Sequence, residues 1–193
     1  MRNKPFLVKF FLIISVFSIS LCFAQEAIVV SNQKDKARAY LKEFCSVSFP
    51  LYYPKTYTAI ENVMASIPED VFAALTNRRR PVLFTEYHTV GIGRFANSSE
   101  ISVLPDDIPA FQEGMTLIKL STELEGVDEP QAIEGVVAHE LAHRFLEHAH
   151  KKTERCQRER EANRLIQTWG FQEAFQLAKV KFGRKEGEKS GCD

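Results

Sequence analysis

Ile133-Glu134-Gly135-Val136-Val137-Ala138-His139-Glu140-Leu141-Ala142-His143-Arg144-Phe145 is the stretch on which the reading of this chain turns. His139 and His143 lie about 40° apart in azimuth on a helix of 3.6 residues per turn, so both imidazoles leave one face. Two ring nitrogens placed in this way can reach a single zinc ion at about 2.0–2.1 Å each. Glu140 points about 100° round the helix from His139, too far to be a third ligand but near enough to meet a water at such an ion. On the other side Ile133, Val137, Leu141 and Phe145 recur every fourth residue, flanked by Val136 and Ala142. That stripe predicts a helix with a core side and a separate ligand side. Glu129-Pro130 opens it, with Pro near the first helical position, and the pattern carries it to about Lys152.

A catalytic zinc site takes three protein ligands and keeps a position open. Downstream candidates are Glu147, His148, His150, Glu154, Cys156, Glu159 and Glu161. His150 shares the face of His139 but lies roughly 10 Å beyond His143 along the axis, so it reads with His148 as a rim or surface residue. A break around Lys151 to Glu154 lets a second helix, Glu154 to Trp169, fold back against the first. Glu159 on that helix is the preferred third ligand, and Glu161, about 200° round from it, is the alternative. Asn163, one turn after Glu159, is placed to hydrogen-bond a ligand histidine and fix its tautomer. Cys156 reads as structural.

Working outward, Asn32 to Val47 reads as an amphipathic helix with Ala37, Tyr40, Leu41 and Phe44 on one face. Tyr57 to Ser66 and Pro68 to Leu75 read as two further helices. Arg78-Arg79-Arg80-Pro81 is a basic break, and then the period changes. Val82 to Tyr87, Glu100 to Leu104 and Thr116 to Leu120 are short β-rich segments punctuated by Gly91, Gly93, Pro105 and Gly114. A last helix follows Gly170, which is placed as a left-handed C-cap. The alternation predicts an α+β chain with a small sheet.

The length of 193 residues suits one domain. Formal net charge is zero, so the balance points neither to nucleic acid nor to an anionic membrane. Arg2, Lys4 and Lys9 followed by the apolar run Phe10 to Ala24, with Cys22 and Ala24 at the minus-three and minus-one positions, have the layout of a secretory signal peptide. The organisation is therefore 1–24 signal peptide, 25–182 single domain, and 183–193 flexible polar tail. Export to the periplasm or outside is the expectation, with an uncleaved N-terminal anchor as the alternative and no stable span after cleavage. An exported chain can form disulfides, and Cys45, Cys156 and Cys192 allow one bridge, the pairing left open.

Gly114 to Leu120, Glu125-Gly126-Val127-Asp128, Val137 to His143 and Glu159-Arg160-Glu161-Ala162-Asn163 together resemble the gluzincin zinc metallopeptidases of the HtpX-like group. There a glycine-led edge strand and a turn precede the H-E-x-x-H helix, and an E-x-x-A-D helix follows. The resemblance covers Glu113 to Phe171, about a third of the chain. It implies a zincin-like fold whose small sheet lays an edge strand over the active-site helix, with a second helix carrying a zinc ligand. It implies one zinc per chain, held by His139, His143 and Glu159, with Glu140 as general base. It further implies that Thr116, Leu117, Ile118, Lys119 and Leu120 bind an extended substrate by strand addition. Asn163 stands where the group has aspartate. The linker of 15 residues from His143 to Glu159 leaves little room for membrane hairpins.

The expected function is an exported zinc endopeptidase acting on a peptide or unfolded protein. The alternative is a catalytically silent zinc protein that holds a peptide or protein partner in the same cleft. A third reading, a helical protein with an accidental motif, binds no metal. His88, Tyr87, Arg155, Arg158 and Arg160 are the open candidates for stabilising an oxyanion.

Overall fold

A computed structural model describes residues 32–88, 96–101, 113–182 and 192. The expected leader, its expected cleavage site and most of the expected polar tail fall outside the described residues. So do Ser102 to Leu104 of the second expected strand. Among the described residues no helix is long and apolar enough to cross a membrane.

Four helices precede the sheet: α1 over 32–44, α2 Ser48–Tyr52, α3 Pro54–Ser66 and α4 Glu69–Leu75. Pro54 opens α3, because its fixed φ and missing N–H suit a first turn. In α1, Ala37, Tyr40 and Leu41 are buried as the periodicity predicts, with Phe44 partly buried beside them. Polar side chains tie this layer together. Gln33 Nε2 donates to Met64 O at 3.0 Å and Ile67 O at 2.7 Å, satisfying carbonyls that the end of α3 leaves without intrahelical partners. Tyr40 donates its hydroxyl proton to Val82 O at 2.9 Å and accepts from Val82 N–H at 2.8 Å. One hydroxyl thus serves both backbone groups where the first strand begins.

The sheet has three strands, β1 Val82–Tyr87, β2 Ala96–Ile101 and β3 Met115–Ser121, in the order β1-β3-β2. β1 runs parallel to β3, with Val82 opposite Thr116, and β2 runs antiparallel to it, with Ala96 opposite Leu120. Thr116, Ile118 and Leu120 alternate into the core at 0% exposure. A 3₁₀ turn, Thr122–Gly126, follows. Its Glu125 reaches back to α3, where Oε1 accepts from Lys55 N–H and Oε2 from Thr56 N–H, both at 3.1 Å. This acid therefore caps a helix N-terminus, where a carboxylate meets unsatisfied amides and the positive end of the dipole.

Three helices complete the chain: α5 Pro130–Phe145, α6 Arg155–Thr168 and α7 Gln172–Phe182. Gly170 has φ +85° between α6 and α7, the left-handed cap expected of it. α5 packs against α3, α4, α6, α7 and β2 and so lies at the centre of the molecule. Ile133, Val137 and Leu141 are fully buried, as the stripe predicts, but so are Ala132, Ala138 and Ala142. Small residues admit neighbours on the remaining sides. At Gly135 the approach is closest, since a Cβ there would collide with the backbone carbonyl of Ala174 on α7.

Candidate metal centre

The ligand face of α5 opens into a cleft of about 690 Å³. β2 forms one wall through Ala96 to Glu100, α6 contributes Arg155, Arg158 and Glu159, and α7 contributes Phe175, Ala178, Lys179 and Phe182. His139, Glu140 and His143 line it from α5.

His139 Nε2 lies 3.0 Å from His143 Nε2 and 3.1 Å from Glu159 Oε2, and His143 Nε2 lies 3.6 Å from the same oxygen. His139, His143 and Glu159 thus form a group able to hold a metal ion, their ligand atoms all within 4.8 Å of one another. The two imidazoles beside Glu159 hold its carboxyl well below the usual carboxylate range, against the opposing effect of burial. The His139 ring stacks on Phe175, with centroids 4.6 Å apart and planes 9° from parallel.

Several residues take places other than those expected. Glu161 does not join the pair on α5. Its Oε2 lies 3.0 Å from His148 Nε2, and its Oε1 accepts from Gln157 Nε2 at 2.9 Å. Hydrogen bonding to Gln157 first, and to His148 second, lowers its carboxyl from the ordinary value. Among the described residues Asn163 Oδ1 and His139 Nδ1 are both buried without a hydrogen-bond partner, so no hydrogen bond from His139 to Asn163 Oδ1 is made. Thr116 to Leu120 do not form an edge: β3 is paired on both sides, which leaves no row of backbone groups for a substrate. The strand at the cleft is β2, the last in the sheet order.

His148 is the residue near the candidate ligands that the sequence pattern misplaces. It is 3% exposed, and its Nδ1 lies 2.7 Å from His143 Nδ1. Burial pushes it below the ordinary histidine range, and the neighbouring His143 acts the same way, while the hydrogen bond with Glu161 opposes the shift. Its place depends on where α5 ends. The helix stops at Phe145, and Glu147 takes φ +55°. Glu147 N–H then donates to Arg144 O at 3.0 Å and His148 N–H to His143 O at 3.1 Å. This pair of bonds closes a Schellman turn without glycine, at a conformational cost of about 1 kcal/mol for the residue at positive φ. Arg80 Nη1 meets Glu147 Oε1 at 2.6 Å and helps to hold it there. No local signal marks this turn, because the residue that usually does so, Gly or Asn, is absent. His150 is exposed, as expected of a surface position.

Of the open oxyanion candidates, Arg155 and Arg158 line the cleft. Arg160, Tyr87 and His88 are not among the residues lining it, and His88 Nδ1 sits 3.1 Å from Thr122 Oγ1. The cysteines settle as a Cys156–Cys192 disulfide with Cys45 free. The bridge ties residue 192 of the polar tail to the first turn of α6.

Compared with known proteins, the chain matches no family model, no curated protein and no solved structure.

Proposed function

We propose that this chain is an exported zinc-dependent endopeptidase of the gluzincin kind. The observation that carries the reading is the convergence of two imidazole nitrogens and one carboxylate oxygen beside Glu140 in an open cleft. A tetrahedral zinc with ligands at about 2.0–2.1 Å has its donor atoms about 3.3 Å apart. The separations of 3.0, 3.1 and 3.6 Å bracket that value. Two nitrogens and one oxygen suit zinc better than a hard cation such as calcium or magnesium, which favours oxygen ligands. Three protein donors also leave a position free for reaction. The Cys156–Cys192 disulfide suits an oxidising compartment and so supports export.

When bound, zinc supplies Lewis acidity that polarises a peptide carbonyl and acidifies water. Glu140 takes a proton from the attacking water and gives it to the amine nitrogen as the C–N bond breaks. The β2 strand, with no further strand beside it among the described residues, offers backbone groups to an extended chain. Phe175 and Phe182 present an apolar wall to a substrate side chain. Arg155 and Arg158 supply donors for negative charge developing on the carbonyl oxygen.

Metal analysis of the purified protein is expected to give about one zinc per chain. Glu140→Gln is expected to keep that zinc and to lower cleavage of an unfolded protein by about 10²–10⁴-fold. Equal cleavage by wild type and variant would remove Glu140 from the chemistry. Zinc without any cleavage leaves a protein that holds peptides. A protein that takes up no metal ends both readings.

A further inference from the structure

We propose that Glu161, His148 and His143 form a hydrogen-bonded chain that fixes the tautomer of His143 and keeps its Nε2 lone pair turned to the metal site. The inference rests on the metal-centre reading above and assigns two positioning residues to it.

The protons along the chain follow from what each atom can do. An ionised carboxylate only accepts, so the His148 Nε2 lying 3.0 Å from Glu161 Oε2 carries a hydrogen. A neutral imidazole has one N–H, which leaves His148 Nδ1 as an acceptor. The atom 2.7 Å from that acceptor is His143 Nδ1, and two bare lone pairs do not sit at such a distance. His143 Nδ1 is therefore the donor, and its own single N–H is then used. His143 Nε2 is left unprotonated, facing His139 Nε2 at 3.0 Å and Glu159 Oε2 at 3.6 Å. That is the form in which an imidazole binds a metal.

The two ligand histidines are thus held by different means. His143 has a chain of two polar side chains behind it, the inner one 3% exposed. Behind His139 lies the face of Phe175, and its Nδ1 has no hydrogen-bond partner among the described residues. His143 is the preorganised ligand. The local backbone makes this possible because the turn at Glu147 swings His148 back under His143, while Glu161 follows Glu159 by two residues and points elsewhere. Arg158 Nη1 donates to His148 O at 3.3 Å and holds that turn against α6.

The test is zinc affinity of the full-length protein, measured by competition with a chelator. His148→Phe is expected to weaken zinc binding about 10–100-fold. His148→Asn, whose Oδ1 can accept from His143 Nδ1–H, is expected to recover most of that loss. Should His148→Phe fail to fold, half-exposed Glu161 decides the matter: Glu161→Ala is expected to weaken zinc several-fold and Glu161→Gln, still an acceptor, to restore it. Packing alone would favour His148→Phe, which fills the histidine's space better than Asn, so recovery with Asn assigns the role to the hydrogen bond. Nitrogen NMR of the zinc-loaded protein is expected to place the His148 proton on Nε2. If wild type binds zinc and the Phe and Ala variants bind it as tightly, or the His148 proton lies on Nδ1, the chain is overturned and the metal centre stands. If wild type binds no zinc, the metal centre falls and takes this role with it.

Discussion

The helical layer of α1, α3 and α4 and the cleft between β2, α5, α6 and α7 treat buried polar groups in opposite ways. In the helical layer Gln33, Tyr40 and the Glu125 that caps α3 each have well-made hydrogen bonds. Around the cleft, His139 Nδ1, Arg144 Nε and Asn163 Oδ1 are buried with no hydrogen-bond partner among the described residues. An unpartnered buried polar atom costs about 1–3 kcal/mol, so such atoms concentrate where something other than stability decides the residue. The layer supports; the cleft carries the candidate ligand set. The two should therefore respond differently to mutation.

The largest effect on the supporting side is expected from Met64→Ala. Met64 is fully buried on α3, and its truncation should lower unfolding free energy by about 2–5 kcal/mol in urea titrations. The folded fraction should still bind one zinc per chain; loss of metal stoichiometry would show that layer and cleft are not separable. His139→Ala should do the reverse, abolishing zinc uptake while changing the stability of the metal-free protein little.

Gly135→Ala tests the joint between the two regions. Its Cβ has no room against Ala174, so α5 and α7 must separate, at a cost of about 1–3 kcal/mol. Because α7 carries Phe175 against His139, zinc affinity should fall together with the melting temperature. A destabilised variant with unchanged affinity would show that α7 does not position the ligand. Gln33→Ala should cost about 1–2 kcal/mol and leave zinc binding untouched.

The last effect concerns pH. Burial pushes the Cys45 thiol up to about 12, with the Glu86 charge adding to it. An unfolded thiol titrates near 8.5, so above that value the unfolded chain loses a proton the folded chain keeps. Stability is then full below about pH 8.5 and falls by up to about 1.4 kcal/mol per pH unit as pH rises towards the folded value. Urea midpoints at pH 8 and pH 10 should show this fall, and Cys45→Ala should flatten it. An unaltered slope in that variant assigns the pH dependence to other groups.

Much of this was legible from the chain alone. The stripe Ile133, Val137, Leu141, the histidine pair on the other face, the Glu159 helix and the cap at Gly170 all follow from local periodicity and backbone chemistry. So does β1, whose Val82 to Tyr87 bounds agree with the expectation. Three features were not legible. Strand order depends on pairing between distant segments, and it put Thr116 to Leu120 in the middle of the sheet and β2 at the cleft. The third wall comes from α7, whose approach to α5 depends on the absence of a single side chain at Gly135.

The third is His148, and it marks the boundary most sharply. Sequence by itself determined which residue types could hold a metal and that two of them share a helix face, because helical geometry is fixed by the backbone over a few residues. Tertiary structure alone decided that α5 stops at Phe145, that Glu147 adopts positive φ with Arg80 beside it, and that His148 therefore lies between His143 and Glu161. A turn of this kind is stabilised by partners far along the chain, and no local pattern records them.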